Sequence, residues 1–526
     1  MFDLVIRNAT LIDGTGSPAS ISDVGVADGR ITAIGDLPAD VSTARTLETA
    51  GRVLSPGFID IHTHSDLTLA EDGTGESKLR QGVTTEVVGN CSFAAFPIEP
   101  TRLALHADHL ARATAAVVPW WTDLDGYADA LHATGLAINV APLAGHGTLR
   151  VAAMGIDQRP PTAEELTRME RDLALALDQG AFGMSTGLTH VPSAYGDFDE
   201  VAALARVLAA RGALYATHSR VSGSLERGSV GEAIDLGRET GVTVEFSHMA
   251  INNPSRWGTG AELMELLEDA RRADIDIFFD VYPYHASSSS LTQYLPPWVQ
   301  AGGSDAMRAR MADPGERRRA LADMAQGWFG GIPWLWDRFV ISHSPDGYGV
   351  ASTLADLSEE TGVDEYELTI QLCERYGNLL QVVLFYRTEE DMETFLAHPL
   401  AVVGSDGNAI PLHQPTARPH PRSFGTFPRV LGRYTREKNI LELTDAVRKM
   451  TGEPARRLGL ADRGVIREGA VADLVVFDPD TVIDNAEFGQ VPAAPTGIDV
   501  VVVAGTVMVS DGAIAADRPG RVLRRP

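Results

Sequence analysis

The chain has 526 residues, 44% hydrophobic and 22% charged, with a formal net charge of −27. That length exceeds one ordinary core and predicts a large domain with a smaller one. The negative charge argues against nucleic acid or an anionic membrane as partner. Two cysteines, Cys91 and Cys373, give no disulfide framework. The opening Met1–Arg7 lacks a basic segment followed by an apolar one, and no apolar run is long enough to span a bilayer, so a soluble cytoplasmic protein is expected.

From the amino end, Asp3–Arg7, Thr10–Asp13, Asp23–Val26 and Arg30–Ile34 alternate as half-buried strands, with turns at Gly14-Thr15-Gly16 and Ala27-Asp28-Gly29. Near the carboxyl end, Ala472–Asp478, Val500–Val503 and Thr506–Val509 have the same texture. Strand-rich ends around a different middle predict one small β-domain, residues 1–52 plus 456–526, built from both termini; two separate β-caps would have the same pattern. Between them, residues 53–455 alternate short apolar runs with helical stretches. The expected strands are Val53–Ile61, Thr84–Val88, Ala137–Leu143, Phe182–Ser185, Ala213–Thr217, Thr243–Ser247, Ile275–Val281 and Ala401–Ser405. Helical patterns include Ala163–Gln179, Phe198–Arg211, Val230–Thr240 and Ala261–Arg272. Eight strand–helix units predict a (β/α)8 TIM-like barrel, with a doubly wound open sheet as competitor. About 285–400 is a long insertion, expected on the active-site face as a lid. It holds Ser287–Ser290, four tryptophans (Trp298, Trp328, Trp334, Trp336) and apolar runs at Phe339–Ser342 and Leu379–Phe385. Either run reads as a barrel strand or as a side pairing.

The first of these strands ends in His62-Thr63-His64. Alternation along a strand puts both imidazoles on one face. Zinc accepts histidine nitrogen at roughly 2.0–2.1 Å, so the pair makes a bidentate metal site. Solvated loop histidines are the bland alternative; the strand before them and the flanking Asp60 and Asp66 favour metal. Later strand ends add Gly89-Asn90-Cys91, His146, His218, His248, Asp280 with Tyr282 and Tyr284, and Asp406. A lone histidine after a strand is more often structural. Many strands ending this way favour a barrel, which gathers all its strand ends at one mouth.

Longer motifs run along nearly the whole chain. They are Leu4-Val5-Ile6-Arg7-Asn8, Pro56-Gly57-Phe58-Ile59-Asp60-Ile61-His62-Thr63-His64, and Gly82-Val83-Thr84-Thr85 leading to Gly89-Asn90-Cys91. Ala141-Pro142-Leu143, Gly145-His146-Gly147, Ser405-Asp406-Gly407, His420-Pro421-Arg422 and Gly425-Thr426-Phe427-Pro428-Arg429 follow. In these the chain resembles the N-acyl-D-amino-acid deacylases (D-aminoacylases) of the metal-dependent amidohydrolase superfamily. His-x-His is common to the superfamily; Gly-Asn-Cys is specific to this branch. The resemblance implies the barrel with a β-sandwich made by both termini. It implies a tightly held zinc on Cys91, His218 and His248, with His62 and His64 as a second, weaker site. It also implies Asp406 as the catalytic carboxylate and Arg422 as the carboxylate-binding arginine.

Most binuclear relatives bridge their metals with a carboxylated lysine on the fourth strand. Gly180–Gly187 has none, and Lys78, Lys438 and Lys449 are the only lysines, at no expected strand end. Thiolate binds zinc well, so Cys91 can supply the missing anion; its bland alternative is a small buried apolar side chain. A Cys/His/His set favours zinc over magnesium or calcium. Water activated at the metal would attack a linear amide, with Asp406 taking its proton and passing it to the leaving amine. A turn residue before Gly407 is the bland reading of Asp406. Tyr282, Tyr284 or His146 would assist at the oxyanion. Arg220, two residues past His218, is a second candidate for a substrate carboxylate.

Two departures bear on the substrate. Ala250 stands where familiar members have a lysine, and His190-Val191-Pro192 replaces their Tyr-Pro-Pro, which makes His190 a substrate-binding candidate. An N-acyl-D-amino acid, a related N-acyl compound or a dipeptide is the expected substrate. The rivals are a cyclic-amide hydrolase of the hydantoinase or dihydroorotase type, which normally uses the absent lysine, and a non-catalytic scaffold, which would be expected to lose ligands or Asp406.

Overall fold

The apolar run Val53–Ile61 is two strands rather than the single one expected. Val53–Pro56 pairs into a sheet made by the termini, and Phe58–Asp60 opens the barrel. Gly57 is the hinge between them: a Cβ there would stand 2.2 Å from Thr84 Oγ1. The computed structural model describes residues 1–111, 118–221, 226–413 and 418–525, apart from the side chains of 226 and 227.

Eight parallel strands follow in order around the barrel: Phe58–Asp60, Val83–Val88, Asn139–Gly145, Gly183–Gly187, Leu214–His218, Thr243–Phe246, Ile277–Val281 and Ala401–Val403. Each expected region holds one, and the doubly wound alternative falls. Closure comes just past the last strand. The Asp406 N–H donates to the His62 carbonyl at 2.8 Å, and the His64 N–H to the Gly407 carbonyl at 2.9 Å. The segments carrying the expected ligands are thus also the seam of the barrel. Inside, Ile59, Val87, Leu143, Phe182, Leu214, Phe278 and Val402 form one buried cluster. Leu523 joins it, its N–H bonded to the Val140 carbonyl near the start of the third strand. The helices bury a larger apolar layer against the outside. Ala163–Asp178, for example, starts at a Thr162/Glu165 capping box and turns Met169, Leu173 and Leu177 inward.

Both termini meet in one nine-stranded sheet. Leu54 pairs with Leu11 on one side and Val476 on the other, which rules out two separate caps. The two strands expected within Asp3–Asp13 are one, Phe2–Leu11, its register broken around Asn8, where φ is +55°. Within the insertion, Ser287–Ser290, Phe339–His343 and Gln381–Leu384 form a separate antiparallel sheet, so both apolar runs there are side pairings. This body has its own core, including Leu291, Tyr294, Trp328, Phe339, Leu357 and Val382. Among the described residues, no helix is long and apolar enough to cross a membrane.

Lys78 lies fully buried beneath the seam. Its Nζ is 2.7 Å from Asp60 Oδ2, 2.7 Å from Ser405 Oγ and 3.0 Å from Glu86 Oε1. Burial disfavours the ammonium, yet Asp60 and Glu86 outweigh it and raise its pKa. One cation therefore ties together the ends of the first, second and eighth strands. Lys78→Met is expected to cost about 3–5 kcal/mol, because two carboxylates stay buried without their counter-charge. Denaturant unfolding reads the loss; an unchanged midpoint would mean that backbone pairing alone holds the seam.

Candidate metal centre

The barrel gathers His62, His64, Cys91, His218, His248 and Asp406 at the carboxyl ends of five strands. Three of them leave their strands through left-handed backbone: φ is +51° at Cys91, +40° at His248 and +52° at Asp406. Non-glycine residues held in such regions cost about 1–3 kcal/mol each, and strain of this kind collects where function imposes geometry.

Cys91 is the centre of the cluster. Its Sγ is 3.3 Å from His62 Nε2 and 3.4 Å from His248 Nε2. His62 Nδ1 lies 2.9 Å from Asp280 Oδ2, which holds the ring with Nε2 towards the sulfur. His64 Nε2 is 2.9 Å from Asp406 Oδ1, and His62 Nε2 is 3.6 Å from the same oxygen. His62, His64, Cys91 and Asp406 each offer one ligand atom, all within 4.8 Å of one another. Cys91, His190 and His218 form a second such set. The His218 ring centroid is 4.5 Å from that of His190 and 4.6 Å from that of His248. Tetrahedral zinc with ligands at roughly 2.0–2.3 Å needs donor separations of about 3.3–3.8 Å, so small side-chain adjustments suffice.

Electrostatics agree with a cation. Burial drives the pKa values of His218 and His248 well below 6.5, leaving neutral imidazoles with lone pairs to give. At His62 burial works the same way, but Asp280 and Cys91 outweigh it and raise the pKa. A potential that draws a proton to this ring also draws a metal ion. Burial works to raise the Asp406 carboxyl, but Arg422, with Nη1 at 2.7 Å, and the neighbouring histidines hold it well below the usual range. Sulfur with imidazole fits zinc. No lysine takes part: Lys449 bonds the carbonyls of His398 and Ala401, and Lys438 pairs with Glu389 and Glu393.

Three expected substrate contacts lie elsewhere. His146 begins a helix directly after the third strand, which carries it under the loops rather than into the mouth. It is fully buried, with Nδ1 2.7 Å from Ser193 Oγ and Nε2 2.8 Å from Glu200 Oε1. Burial would raise the Glu200 carboxyl, yet His146 and Arg150 hold it down at about 2. Tyr284 is buried beside Arg429, its hydroxyl 3.5 Å from Asp484 Oδ2. Arg220 donates to the carbonyls of Ala194 and Gly196 and pairs with Glu232 at 3.4 Å. Tyr282 keeps an open valence: its buried hydroxyl has no hydrogen-bond partner among the described residues, and burial raises its pKa, so it remains a donor.

The mouth opens on a cavity of about 560 Å³. Cys91, His190, His218, His248 and Asp406 line one side; Ser287–Ser289, Tyr294, Trp328, Phe329 and Arg387 come from the insertion. Two supporting residues received no role from the sequence. Asp280 stood among the strand-end residues, two before Tyr282 on the seventh strand, with nothing to show that it would hold His62. Arg387 carried no signal, being one arginine in the long insertion. Asp280→Asn is expected to weaken zinc binding about 10- to 100-fold by releasing the His62 ring. Competition with a chromophoric chelator measures this; affinity equal to the parent chain's would remove Asp280 from the support of the site.

The sequence profile of the Amidohydrolase family matches residues 45–295 and 374–509. The N-acyl-D-glutamate deacylase of Alcaligenes xylosoxydans xylosoxydans is 38% identical over 99% of this chain and 96% of its own. The D-aminoacylase of the same organism is 36% identical over 100% and 98%. Among solved structures, N-acyl-D-glutamate deacylase from Bordetella bronchiseptica, complexed with zinc and a phosphonate inhibitor, matches at a TM-score of 0.84, with 35% identity and 99% of each chain covered. The L-hydantoinase of Arthrobacter aurescens, at 16% identity and a TM-score of 0.55 over 100% of each chain, shares the fold alone. Full-length identity of this order, together with the Cys91-centred cluster, makes the chain a member of the amidohydrolase family, in the branch of the N-acyl-D-amino-acid deacylases.

Proposed function

We propose that the protein is a zinc-dependent amidohydrolase that removes the acyl group from an N-acyl-D-amino acid or a related N-acyl compound. The observation that carries this reading is the Cys91 sulfur between His62 and His248, with the Asp406 carboxylate beside His64 at the mouth of the same cavity. Cys91 with His218 and His248 would hold the principal zinc, and His62, His64 and Asp406 a weaker second one. Bound zinc acidifies water and draws electrons from an amide carbonyl.

The rest falls to the chain's own residues. Arg422 fixes one Asp406 oxygen at 2.7 Å, so the carboxylate is ionised and oriented. It takes a proton as water adds to the carbonyl carbon and gives it to the amine nitrogen as the C–N bond breaks. The Tyr282 hydroxyl, without another partner among the described residues, would serve as a donor to the carbonyl oxygen. Tyr294, Trp328 and Phe329 offer an apolar wall to the acyl group or side chain.

A cyclic-amide reading would need a lysine bridge, and all three lysines are engaged elsewhere. A scaffold reading would expect lost ligands, and none is lost. A small-molecule substrate, rather than nucleic acid or membrane, goes with the net charge of −27.

Asp406→Asn is expected to lower kcat about 100- to 10,000-fold while zinc stays bound through Cys91. Undiminished turnover would end the role assigned to Asp406. Across a panel of N-acyl-D- and L-amino acids, turnover should favour the D series; activity confined to L compounds would reverse the stereochemical assignment. Protein purified without chelator should carry zinc, and failure to bind it even on reconstitution would remove the basis of the whole reading.

A further inference from the structure

The two sides of the sulfur differ in what holds their histidines. Asp280, on the seventh strand, holds His62 with a carboxylate. On the other side the partner is a neutral hydroxyl: Thr189 Oγ1 lies 2.5 Å from His218 Nε2. That leaves Nδ1 as the His218 nitrogen for a metal. An imidazole that gives one nitrogen to a metal carries its proton on the other, and the acceptor of that proton sets the angle of the ring.

The segment that carries Thr189 is itself tied down. It follows the fourth strand, and the Leu188 N–H donates to the His218 carbonyl at 2.8 Å, so His218 is gripped by its backbone as well as by its ring. Ser193 Oγ accepts from the Gly187 N–H at 3.1 Å and lies 2.7 Å from His146 Nδ1, whose other ring nitrogen meets Glu200. The buried His146 thus braces the turn from which Thr189 projects. A further bond comes from the insertion: Gln293 Nε2 donates to Thr189 Oγ1 at 2.9 Å. Gln293 lies in the short turn Leu291–Tyr294, and both ends of that turn are packed into the insertion's own core. Thr189 is 5% exposed and Gln293 8%, so water is a poor substitute for either bond. A hydroxyl oxygen has two lone pairs, and Thr189 can accept from the Gln293 amide and from the His218 ring together.

We infer that Thr189 is a positioning residue for the zinc ligand His218, and that Gln293 joins the insertion to the same chain of bonds. Zinc affinity on the His218 side then depends on a residue of the insertion that touches no metal. The inference rests on the reading above in which His218 holds zinc.

The full chain is tested by competition for zinc with a chromophoric chelator, and by the visible absorption of the cobalt-loaded protein, which reports the ligand geometry. Thr189→Val keeps the shape and removes the oxygen; zinc is expected to bind about 10- to 100-fold more weakly, with a shifted cobalt band. Thr189→Ser returns the oxygen without the methyl group and is expected to stay within about 3-fold of the parent chain, which a loss of packing would not do. Gln293→Met is expected to weaken zinc about 3- to 10-fold in the parent chain and to add nothing to Thr189→Val, because its effect passes through the missing oxygen. If the valine variant does not fold, Thr189→Ala takes its place. A folded valine or alanine variant with the parental zinc affinity and cobalt spectrum overturns the inference, as does a serine variant as weak as either. Equal losses from Gln293→Met in both backgrounds overturn the part given to the insertion. Failure of the unaltered protein to bind zinc overturns the deacylase reading itself, and the inference with it.

Discussion

The mouth of the barrel is organised by one sulfur atom. Cys91 Sγ lies between His62 Nε2 and His248 Nε2 and belongs to both ligand sets. A bridging lysine is not available in its place, because Lys78, Lys438 and Lys449 each hold other parts of the fold together. Cations held on the His218 side and on the His62 side would draw on the same thiolate.

The sulfur is held in place by charges buried beneath and beside it. Asp280 orients His62, and Glu245 faces Asp280 from the sixth strand. Burial, with the Asp280 charge adding to it, pushes the Glu245 carboxyl well above its usual range. Below the seam the arithmetic runs the other way, with one ammonium set between two carboxylates. Partnerless, each of these groups would carry a desolvation cost of several kcal/mol. Asp280 with His62, and Lys78 with Asp60 and Glu86, fix the strand ends from which the ligands project.

Much of this was legible in the sequence. Eight apolar runs and polar residues at their ends gave the barrel, and His62, His64, Cys91, His218, His248 and Asp406 do converge. What escaped was direction. Apolar composition does not register the turn at Gly57, which splits one run between two sheets. His146 follows a strand end just as His248 does. One starts a helix at once and is carried under the loops; the other passes through positive φ and meets the sulfur. Residue type and spacing are alike in the two cases, and the difference lies in a backbone angle at one residue. Tyr284 and Arg220 went the same way, drawn off by Asp484 and Glu232, which lie far along the chain or on the following helix.

The insertion shows how chemistry and selectivity can part company in one chain. Its apolar core and three-stranded sheet make it a folded body that lends a wall to the cavity. Ser287–Ser289, Tyr294, Trp328 and Phe329 come from that body, while Cys91 and the ligand histidines come from barrel strand ends. Arg387 sits at the join. It leaves the last strand of the small sheet, Gln381–Leu384, just before the helix Glu389–Ala397 that delivers the eighth barrel strand and Asp406. Changes within the insertion away from Gln293 can therefore reshape what the cavity accepts without moving a ligand. Changes at the barrel seam would disturb the metal cluster, the Asp406 carboxylate and the closure of the fold together, because His62 and Asp406 are bonded through their backbones there.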